Sequence, residues 1–267
     1  MLSKLFWFLI NLFRHDLNSN RLSHSLPSSD TSGKVICVIV EYDKFLDRDI
    51  KEVGGVRYTC GKASTQLVKT KCALNKIPVL QVMTTDNQSL CSESEDVTER
   101  IFIRNRGTDI AALEDIIEKI SGYQSVIFCN SSAPFQQIEK YIDSFLAEIK
   151  NDESVPKVIG LNGNSRPSPA LSIFHTKFPH VITNFFYANI TDVKDVLHIG
   201  KKSVFYKAFG GYGNKYFAVR YFEILLSTYV LKRGGKLACI YGAVHYFPDQ
   251  AWFDQDSRIK EFFNQQG

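Results

Sequence analysis

Runs of β-branched and apolar residues alternate along this chain with stretches whose apolar residues recur at helical spacing. The run at residues 34–42 is typical of a strand that is buried on both faces of a sheet. Further strands are predicted at 77–84, 100–104, 125–130, 157–161, 180–188 and 236–241, and helices at 63–74, 109–120, 136–150, 191–198, 215–233 and 250–263. This alternation predicts an α/β fold with a Rossmann-like, mostly parallel sheet covered by helices on both faces. An antiparallel segment is expected among the later strands.

The amino-terminal segment differs from the rest of the chain. Residues 2–13 are nearly all apolar and have basic flanks at Lys4 and at Arg14-His15, which predicts an apolar helix over residues 1–15. The run is shorter than the roughly 20 residues that cross a bilayer, and its Trp and Phe content favours a position at the membrane interface. The alternative is a helix that docks on the protein's own core or on a partner subunit. Residues 16–33, rich in Ser and Asn, predict a flexible linker, and residues 34–267 a single globular domain.

The amino-acid composition limits the kinds of ligand that the protein is expected to bind and the cellular compartment in which it is expected to occur. The chain has 267 residues and is 44% hydrophobic, which is enough for one sizeable core. The formal net charge of +4 comes from Lys and Arg spread along the chain. That spread argues against a nucleic-acid-binding protein and is compatible with anionic phosphates or a lipid surface. The six cysteines form no C-x-x-C pair, so neither a disulfide framework nor a zinc site is expected, and a cytoplasmic location is favoured.

Two polar turns follow two of the predicted strands. Because the carboxyl ends of parallel strands meet at one edge of a sheet, where helix starts leave amides unpaired, both turns are expected in a ligand site. In the first turn, Gly107 permits a positive φ and Thr108 can cap the helix that begins at Asp109. Asn105 and Asp109 suit a ribose or base, and Arg106 suits a diphosphate; a capped helix start without a ligand is the alternative. The second turn is Asn130-Ser131-Ser132.

The first strand ends at the same edge with Glu41 and Tyr42. An aromatic ring at this position can stack on a nucleobase, which makes both residues candidates for nucleotide binding. An ordinary solvent-exposed strand end is the alternative explanation.

Four sequence blocks also resemble a known family. They occur in the same order as in sugar-transfer proteins of the rhamnan-synthesis and capsular-polysaccharide type. The resemblance implies a glycosyltransferase with a glycosyltransferase A-like fold and a nucleotide-diphosphate-sugar donor. The blocks are Asn-Arg-Gly-Thr-Asp-Ile at 105–110, Tyr-x-x-Val-Ile-Phe-x-Asn-Ser-Ser-x-Pro-Phe at 123–135, Pro-His-Val-Ile-Thr-Asn-Phe-Phe at 179–186 and Tyr-Phe-Glu-Ile-Leu-Leu-Ser-Thr-Tyr-Val-Leu-Lys-Arg-Gly-Gly at 221–235.

The resemblance also bears on metal dependence. The Asn130-Ser131-Ser132 turn stands where metal-dependent transferases of this architecture carry Asp-x-Asp, but its side chains are neutral. A divalent cation such as Mg²⁺ or Mn²⁺ prefers carboxylate oxygens, so the turn argues against strong metal binding. His245 follows the last predicted strand, and its position in such folds implies contact with a metal or with the diphosphate.

Three residues are candidates for catalysis. Glu223 lies on a helix that is apolar nearly all round, where a carboxylate is costly unless it is paired or functional. It is therefore the first candidate for a general base, with neutralisation by Arg220 as the alternative. Asp192 is the second candidate, although it could simply cap the helix at 191–198. The resemblance places His180 beside the acceptor; a structural role is the alternative.

Taken together, the sequence predicts a glycosyltransferase that moves a sugar from a nucleotide-diphosphate donor to a surface polysaccharide or lipid-linked saccharide. Residues 1–15 would hold it at the inner face of the cell membrane. One alternative is a catalytically degenerate transferase fold that acts as a binding subunit of a polysaccharide-assembly complex, favoured by the neutral second turn. A methyltransferase is a further alternative, weakened because no glycine-rich loop follows the first strand. The glycine-rich segment at 209–214 predicts a mobile loop and a candidate lid.

Overall fold

The computed structural model describes residues 35–42, 50–53, 56–87, 100–150, 156–164, 180–241 and 243–246. The helix predicted at 1–15, the linker at 16–33 and the helix at 250–263 lie outside these residues. The described strands are β1 (Val35–Tyr42), β2 (Ile50–Val53), β3 (Val56–Thr59), β4 (Val79–Thr85), β5 (Arg100–Arg104), β6 (Ser125–Asn130), β7 (Lys157–Gly160), β8 (Gly163–Asn164), β9 (His180–Val181), β10 (Phe185–Asn189), β11 (Lys236–Tyr241) and β12 (Ala243–Tyr246).

The described helices follow the strands in the expected alternation. They are α1 (Lys62–Leu74), α2 (Asp109–Ile116), α3 (Phe135–Lys150), α4 (Ile190–Lys202), α5 (Phe205–Ala208), α6 (Lys215–Ala218) and α7 (Leu225–Lys232). A 3₁₀ turn spans Gly211–Gly213, and a π-helical segment, Val219–Ile224, joins α6 to α7. Residues 215–232 therefore form one helix whose middle turns are wider than those of an α-helix.

The main sheet has eight strands in the order β12-β11-β7-β10-β6-β1-β4-β5. Strand β1 pairs in parallel with β4 and β6, β4 with β5, and β7 with β11. Strand β10 runs antiparallel to β6 and β7, and β12 runs antiparallel to β11. The prediction of a mostly parallel sheet is confirmed. Strands β4 and β5 lie in succession on one side of β1, and β6, the next strand along the chain, lies on its other side. The strand order therefore reverses between β1 and β6.

Helices cover both faces of the sheet, as the sequence predicts. Alternate residues of β1 point to opposite faces, so Val38 and Val40 pack with α2, α4 and residues 215–232. Cys37 and Ile39 pack with α1 and α3 on the other face. All four β1 side chains are fully buried. Burying an aliphatic side chain of this size contributes about 1.5–3 kcal/mol, so the β1 run fixes the strand in the middle of the domain.

Two predicted features of the later chain differ in the structure. The single strand expected at 180–188 is divided into β9 and β10 by a turn at residues 182–184. The glycine-rich segment at 209–214 is anchored rather than lid-like, because Tyr212 at its centre is fully buried. The Tyr212 hydroxyl lies 3.2 and 3.1 Å from the carbonyl oxygens of Val196 and Leu197, to which it donates.

Candidate functional site

A cavity of about 810 Å³ lies at the carboxyl edge of the parallel strands. Each of the four mutually parallel strands β6, β1, β4 and β5 contributes to its lining, with Tyr42 ending β1, Thr84 near the end of β4, Asn105 following β5 and Asn130 ending β6. The predicted position of the ligand site is therefore where the structure places the cavity. Its other described lining residues are Ile50, Cys60, Gly107, Thr108, Asp109, Ile110, Ser131, Ser132, Ile182, Thr183, Asn184, Lys215, Ala218, Val219 and Glu223.

The cavity spans the point where the strand order reverses. The amide of Ser131 donates to the carbonyl of Val40 (3.1 Å), and the carbonyl of Ser131 accepts from the amide of Gly61 (2.8 Å). These bonds tie the turn after β6 to β1 and to the start of α1. In open α/β sheets, ligands bind in the crevice outside such a reversal point.

The turn after β5 has the backbone geometry that the sequence predicts. Gly107 has φ 97°, and a Cβ atom added there would lie 2.7 Å from the carbonyl oxygen of Gly213. Thr108 accepts from the amide of Ala111 (3.2 Å) and so caps α2. The hydroxyl of Thr108 donates to the carbonyl of Tyr212 (2.5 Å). This turn is therefore fixed against the anchored segment at 209–214.

Hydrogen bonds join the two predicted turns to each other. The Asn130 amide nitrogen donates to Asp109 Oδ2 (2.6 Å), while Asn130 Oδ1 accepts from the amide and the hydroxyl of Ser132 (3.0 and 2.7 Å). The Ser131 hydroxyl also lines the cavity and has no hydrogen-bond partner among the described residues. The two turns are thus joined by side-chain hydrogen bonds where both line the cavity.

The carboxylate of Asp86 holds Tyr42 at the cavity wall. Its hydroxyl donates to Asp86 Oδ2 (2.7 Å), and Asn105 Nδ2 donates to Asp86 Oδ1 (3.0 Å). The neighbouring Glu41 does not line the cavity, because successive strand residues point to opposite faces. It is 2% exposed and accepts hydrogen bonds from Thr65 (2.7 Å) and Gln81. The structure gives Glu41 an internal structural position instead of the predicted place in the donor site.

Arg106 also departs from its predicted place at a diphosphate. Its Nη1 lies 2.8 Å from Glu114 Oε2 and 2.6 Å from Asp115 Oδ1, both on α2. The backbone turns sharply at the next residue, so the Arg106 side chain lies along α2 and outside the cavity lining. The cationic side chain among the described lining residues is Lys215, which is exposed and has no ion pair within the described part of the chain.

Glu223 lies in the π-helical segment and lines the cavity. Its Oε2 accepts from the amide (2.8 Å) and the hydroxyl (2.9 Å) of Thr183, and its Oε1 lies 3.5 Å from His180 Nε2. Among the described residues, the partners of this carboxylate are Thr183 and His180. The alternative explanation, in which Arg220 neutralises Glu223, is therefore wrong. His180 is 3% exposed and lies behind Glu223, outside the cavity lining.

Asp192 lies away from the cavity because β10 is antiparallel to β6. The end of β10, Asn189, pairs with Ser125 at the start of β6, so α4 begins at the opposite edge of the sheet. There Asp192 Oδ1 lies 2.5 Å from Arg233 Nη1. Burial raises the pKa of Asp192 to about 6, against the lowering effect of Arg233. The structure thus removes Asp192 from the candidate bases of this cavity.

The predicted metal or diphosphate contact at His245 also lies in the wrong part of the sheet. His245 is on β12, where it pairs with Cys239 of β11. Strands β11, β7 and β10 separate β12 from β6. Four steps at about 4.8 Å between strands put β12 about 19 Å from β6. The residues that the structure describes contain no group of three or more His, Cys, Asp or Glu arranged to hold a metal ion.

The sequence did not single out Thr183, Asn184 and Lys215. The signal for the first two was present, since Thr183 and Asn184 interrupt an apolar run with two polar residues, a pattern typical of a turn. The carbonyl of Asn184 accepts from the amide of Asn130 (3.0 Å), which places the break in the strand beside the second polar turn. Lys215 begins the helix predicted at 215–233, where Asn214 caps it, but the sequence pattern gave no sign that this helix start would reach the cavity.

Comparison with known proteins gives no family assignment. No protein-family model and no curated protein matches this chain. Among solved structures, the bifunctional IspDF from Campylobacter jejuni shares 11% identity over 85% of this chain and 54% of that chain, with a TM-score of 0.37. A CMP:2-keto-3-deoxy-manno-octonic acid synthetase complexed with CTP shares 11% identity over 88% of this chain and 98% of that chain, with a TM-score of 0.42. This chain thus spans about half the length of IspDF, and likeness at this level does not extend to function.

Proposed function

We propose that this chain is a glycosyltransferase that moves a sugar from a nucleotide-diphosphate donor to a hydroxyl of a saccharide or lipid-linked acceptor. One observation carries the proposal: a carboxylate oriented by two hydrogen bonds, Glu223, lines the same cavity as the joined polar turns at the reversal point of the sheet. Such a cavity combines a site for phosphates and sugars with a base for the incoming hydroxyl. The resemblance of the four sequence blocks to rhamnan-synthesis and capsular-polysaccharide proteins supports the same function.

The donor is assigned to the strand-end side of the cavity. The Tyr42 ring, held by Asp86, stacks on the base, and Asp109 and Asn130 bind the ribose or the sugar. The diphosphate is bound by the hydroxyls of Ser131 and Ser132 and by Lys215. Lys215 takes the role first assigned to Arg106, because it is the described cation that reaches the cavity.

A divalent cation remains a prediction for this site. Asp109 and Glu223 are the carboxylates among the described lining residues, and Asp109 Oδ2 already accepts from Asn130. Mg²⁺ is commonly bound by one or two carboxylates together with substrate phosphates. Asp109 therefore fits a cation that is shared with the donor diphosphate, where the cation would neutralise the leaving group. It does not fit a cage built by the protein alone.

Glu223 is assigned the role of base in a direct displacement. The acceptor oxygen bonds to the anomeric carbon as the bond from that carbon to the diphosphate oxygen breaks, and the hydroxyl proton passes to Glu223. Thr183 fixes one oxygen of the carboxylate and His180 lies behind the other, so the base keeps one orientation. A base that is positioned in this way contributes about 10²–10⁴ to the rate.

Calorimetry with a panel of nucleotide-diphosphate sugars tests the donor site. Ser132→Ala and Asp109→Asn should weaken donor binding by roughly 10-fold or more, because each removes a polar contact worth about 1.5–3 kcal/mol when it meets a charged group. Arg106→Gln is the matched control, since this side chain lies outside the cavity lining, and it should leave donor affinity unchanged. If all three variants bound the donor like the wild type, the donor site would be elsewhere.

A catalytically degenerate binding subunit is the second candidate function. The observation that favours it is the neutral second turn, in which Asn130 and Ser132 bond to each other. The two functions differ in product: a transferase releases nucleoside diphosphate in the presence of an acceptor, and a binding subunit retains intact donor. Chromatography of the nucleotide after incubation with donor and acceptor distinguishes them.

Membrane attachment through residues 1–15 is also proposed, since their Trp and Phe content and basic flanks suit an interface. None of the helices within the described ranges has the length and apolar character needed to cross a bilayer. Deleting residues 1–16 should lower the fraction of the protein recovered with membranes and leave donor binding intact. Equal membrane recovery of both forms on fractionation would reject this attachment.

A further inference from the structure

Residues 201–216 form a basic surface, here called the lysine rim, beside the cavity. The segment contains Lys201, Lys202, Lys207 and Lys215 and no Asp or Glu. Lys201 lies 3.3 Å from Glu114 Oε1. The other three lysines are exposed and have no ion pair among the described residues. The lysine rim therefore presents uncompensated positive charge to its surroundings.

Two tyrosines, the partly buried Tyr206 and the fully buried Tyr212, attach the lysine rim to the domain. The Tyr206 hydroxyl donates to Glu114 Oε1 (2.6 Å), and Tyr212 is fully buried with its hydroxyl on the carbonyls of α4. The rings of Tyr206 and Tyr212 also pack edge to face, with centroids 5.8 Å apart. Because these two side chains are fixed by hydrogen bonds and ring contacts, they hold the segment that carries the exposed Lys202, Lys207 and Lys215 against the domain.

The lysine rim also exposes apolar side chains. Val204 is 77% exposed and Tyr216 is 39% exposed. They are two of the four large hydrophobic residues that are exposed in the described part of the chain, and both lie within this short basic segment. Covering a valine that is held in water between lysines is favourable, because it removes apolar surface from water.

We infer that the lysine rim docks on an anionic lipid bilayer. Its lysines match the negative surface of the bilayer, and the tyrosine suits the boundary between headgroups and acyl chains. Val204 can enter that boundary while the flanking lysines remain at the headgroups. Lys215 belongs both to the rim and to the cavity lining, so docking brings the cavity next to the membrane. The inference depends neither on residues 1–15 nor on the transfer reaction.

Sedimentation of the full chain with two kinds of vesicle tests the inference. One kind contains phosphatidylcholine alone and the other contains phosphatidylcholine with phosphatidylglycerol. Each lysine near an anionic surface contributes about fivefold to partitioning, so Lys202→Glu with Lys207→Glu should weaken binding to the anionic vesicles by at least about 25-fold. Val204→Ser should weaken it further, because the apolar contact is lost.

The matched control is the double variant Lys69→Glu with Lys140→Glu. These lysines lie on α1 and α3, which pack on the other face of the sheet, and the net charge changes by the same amount. The inference is overturned if the two double variants partition alike, or if the wild type binds both kinds of vesicle equally. Binding to neither kind would also overturn it. Donor affinity is measured without vesicles, so its loss or retention reports separately on the proposed transfer function.

Discussion

Glu223→Gln separates a catalytic role of this carboxylate from a structural one. In the wild type, Oε2 accepts two hydrogen bonds from Thr183, and Oε1 faces His180 Nε2 at 3.5 Å. A glutamine keeps the shape, and its carbonyl oxygen can still accept from Thr183, but it cannot take a proton. The fold should therefore survive while turnover is lost.

The expected sizes of the two effects differ. Loss of a general base lowers turnover by about 10²–10⁴, which corresponds to about 3–5.5 kcal/mol of barrier. The stability cost is smaller, because two hydrogen bonds of about 1.5–3 kcal/mol to a charged acceptor become bonds of about 0.5–1.5 kcal/mol to a neutral one. That difference of about 2 kcal/mol lowers Tm by roughly 4–8 °C in a domain of this size.

Turnover and Tm are measured on the same preparation of each variant. Glu118→Gln is the matched control, because this exposed carboxylate pairs with Lys194 on the protein surface and should change neither quantity appreciably. Near-normal turnover in Glu223→Gln would refute the assignment of the base, whatever its Tm. A loss of turnover that tracked the loss of folded protein would show that the carboxylate is structural.

Three further outcomes are expected. Lys215→Gln should weaken donor binding by roughly 10–100-fold in calorimetry without lowering Tm, because the charged contact to phosphate is lost and the side chain has no ion pair among the described residues. Gly107→Ala should lower Tm, since the new Cβ would meet the Gly213 carbonyl at positive φ; Gly122→Ala, with open space around it, should not. Burial raises the pKa of Asp192 to about 6, above its ordinary 3.8, so the folded state binds the proton more tightly than the unfolded chain. The free energy of unfolding should therefore fall by roughly 3 kcal/mol between about pH 4 and pH 6, and urea titrations of Asp192→Asn should lack this fall.

Local sequence pattern predicted the centre of the domain well. Strands β5, β6 and β11 begin and end where the apolar runs do, and Thr108 caps α2 as expected. Strands buried on both faces consist of β-branched and apolar residues, so their positions are encoded within a few neighbouring residues. Because parallel strands share one carboxyl edge, the meeting of the two polar turns followed from these local assignments.

Strand direction and side-chain direction were harder to predict. The local sequence of β10 does not indicate that this strand is antiparallel to β6. Because it is antiparallel, Asp192 lies at the edge of the sheet opposite the cavity. Arg106 could have turned towards a ligand or towards α2, and the choice depends on Glu114 and Asp115, which lie two turns along the helix. Errors of this kind arise where tertiary contacts, rather than local preferences, decide the outcome.

The place of β10 in the sheet has a consequence for the synthesis of the protein. Strand β10 lies between β6 and β7, although both precede it in the chain. Until residue 189 has been made, the edge of β6 that later pairs with β10 has no partner, and every residue of β6 is buried in the finished fold. Chains emerge from the ribosome amino terminus first, and an unpaired apolar edge is a template for pairing between molecules. Growing chains that stall before β10 are therefore expected to aggregate through β6, and a chaperone that covers this edge would raise the yield of folded protein.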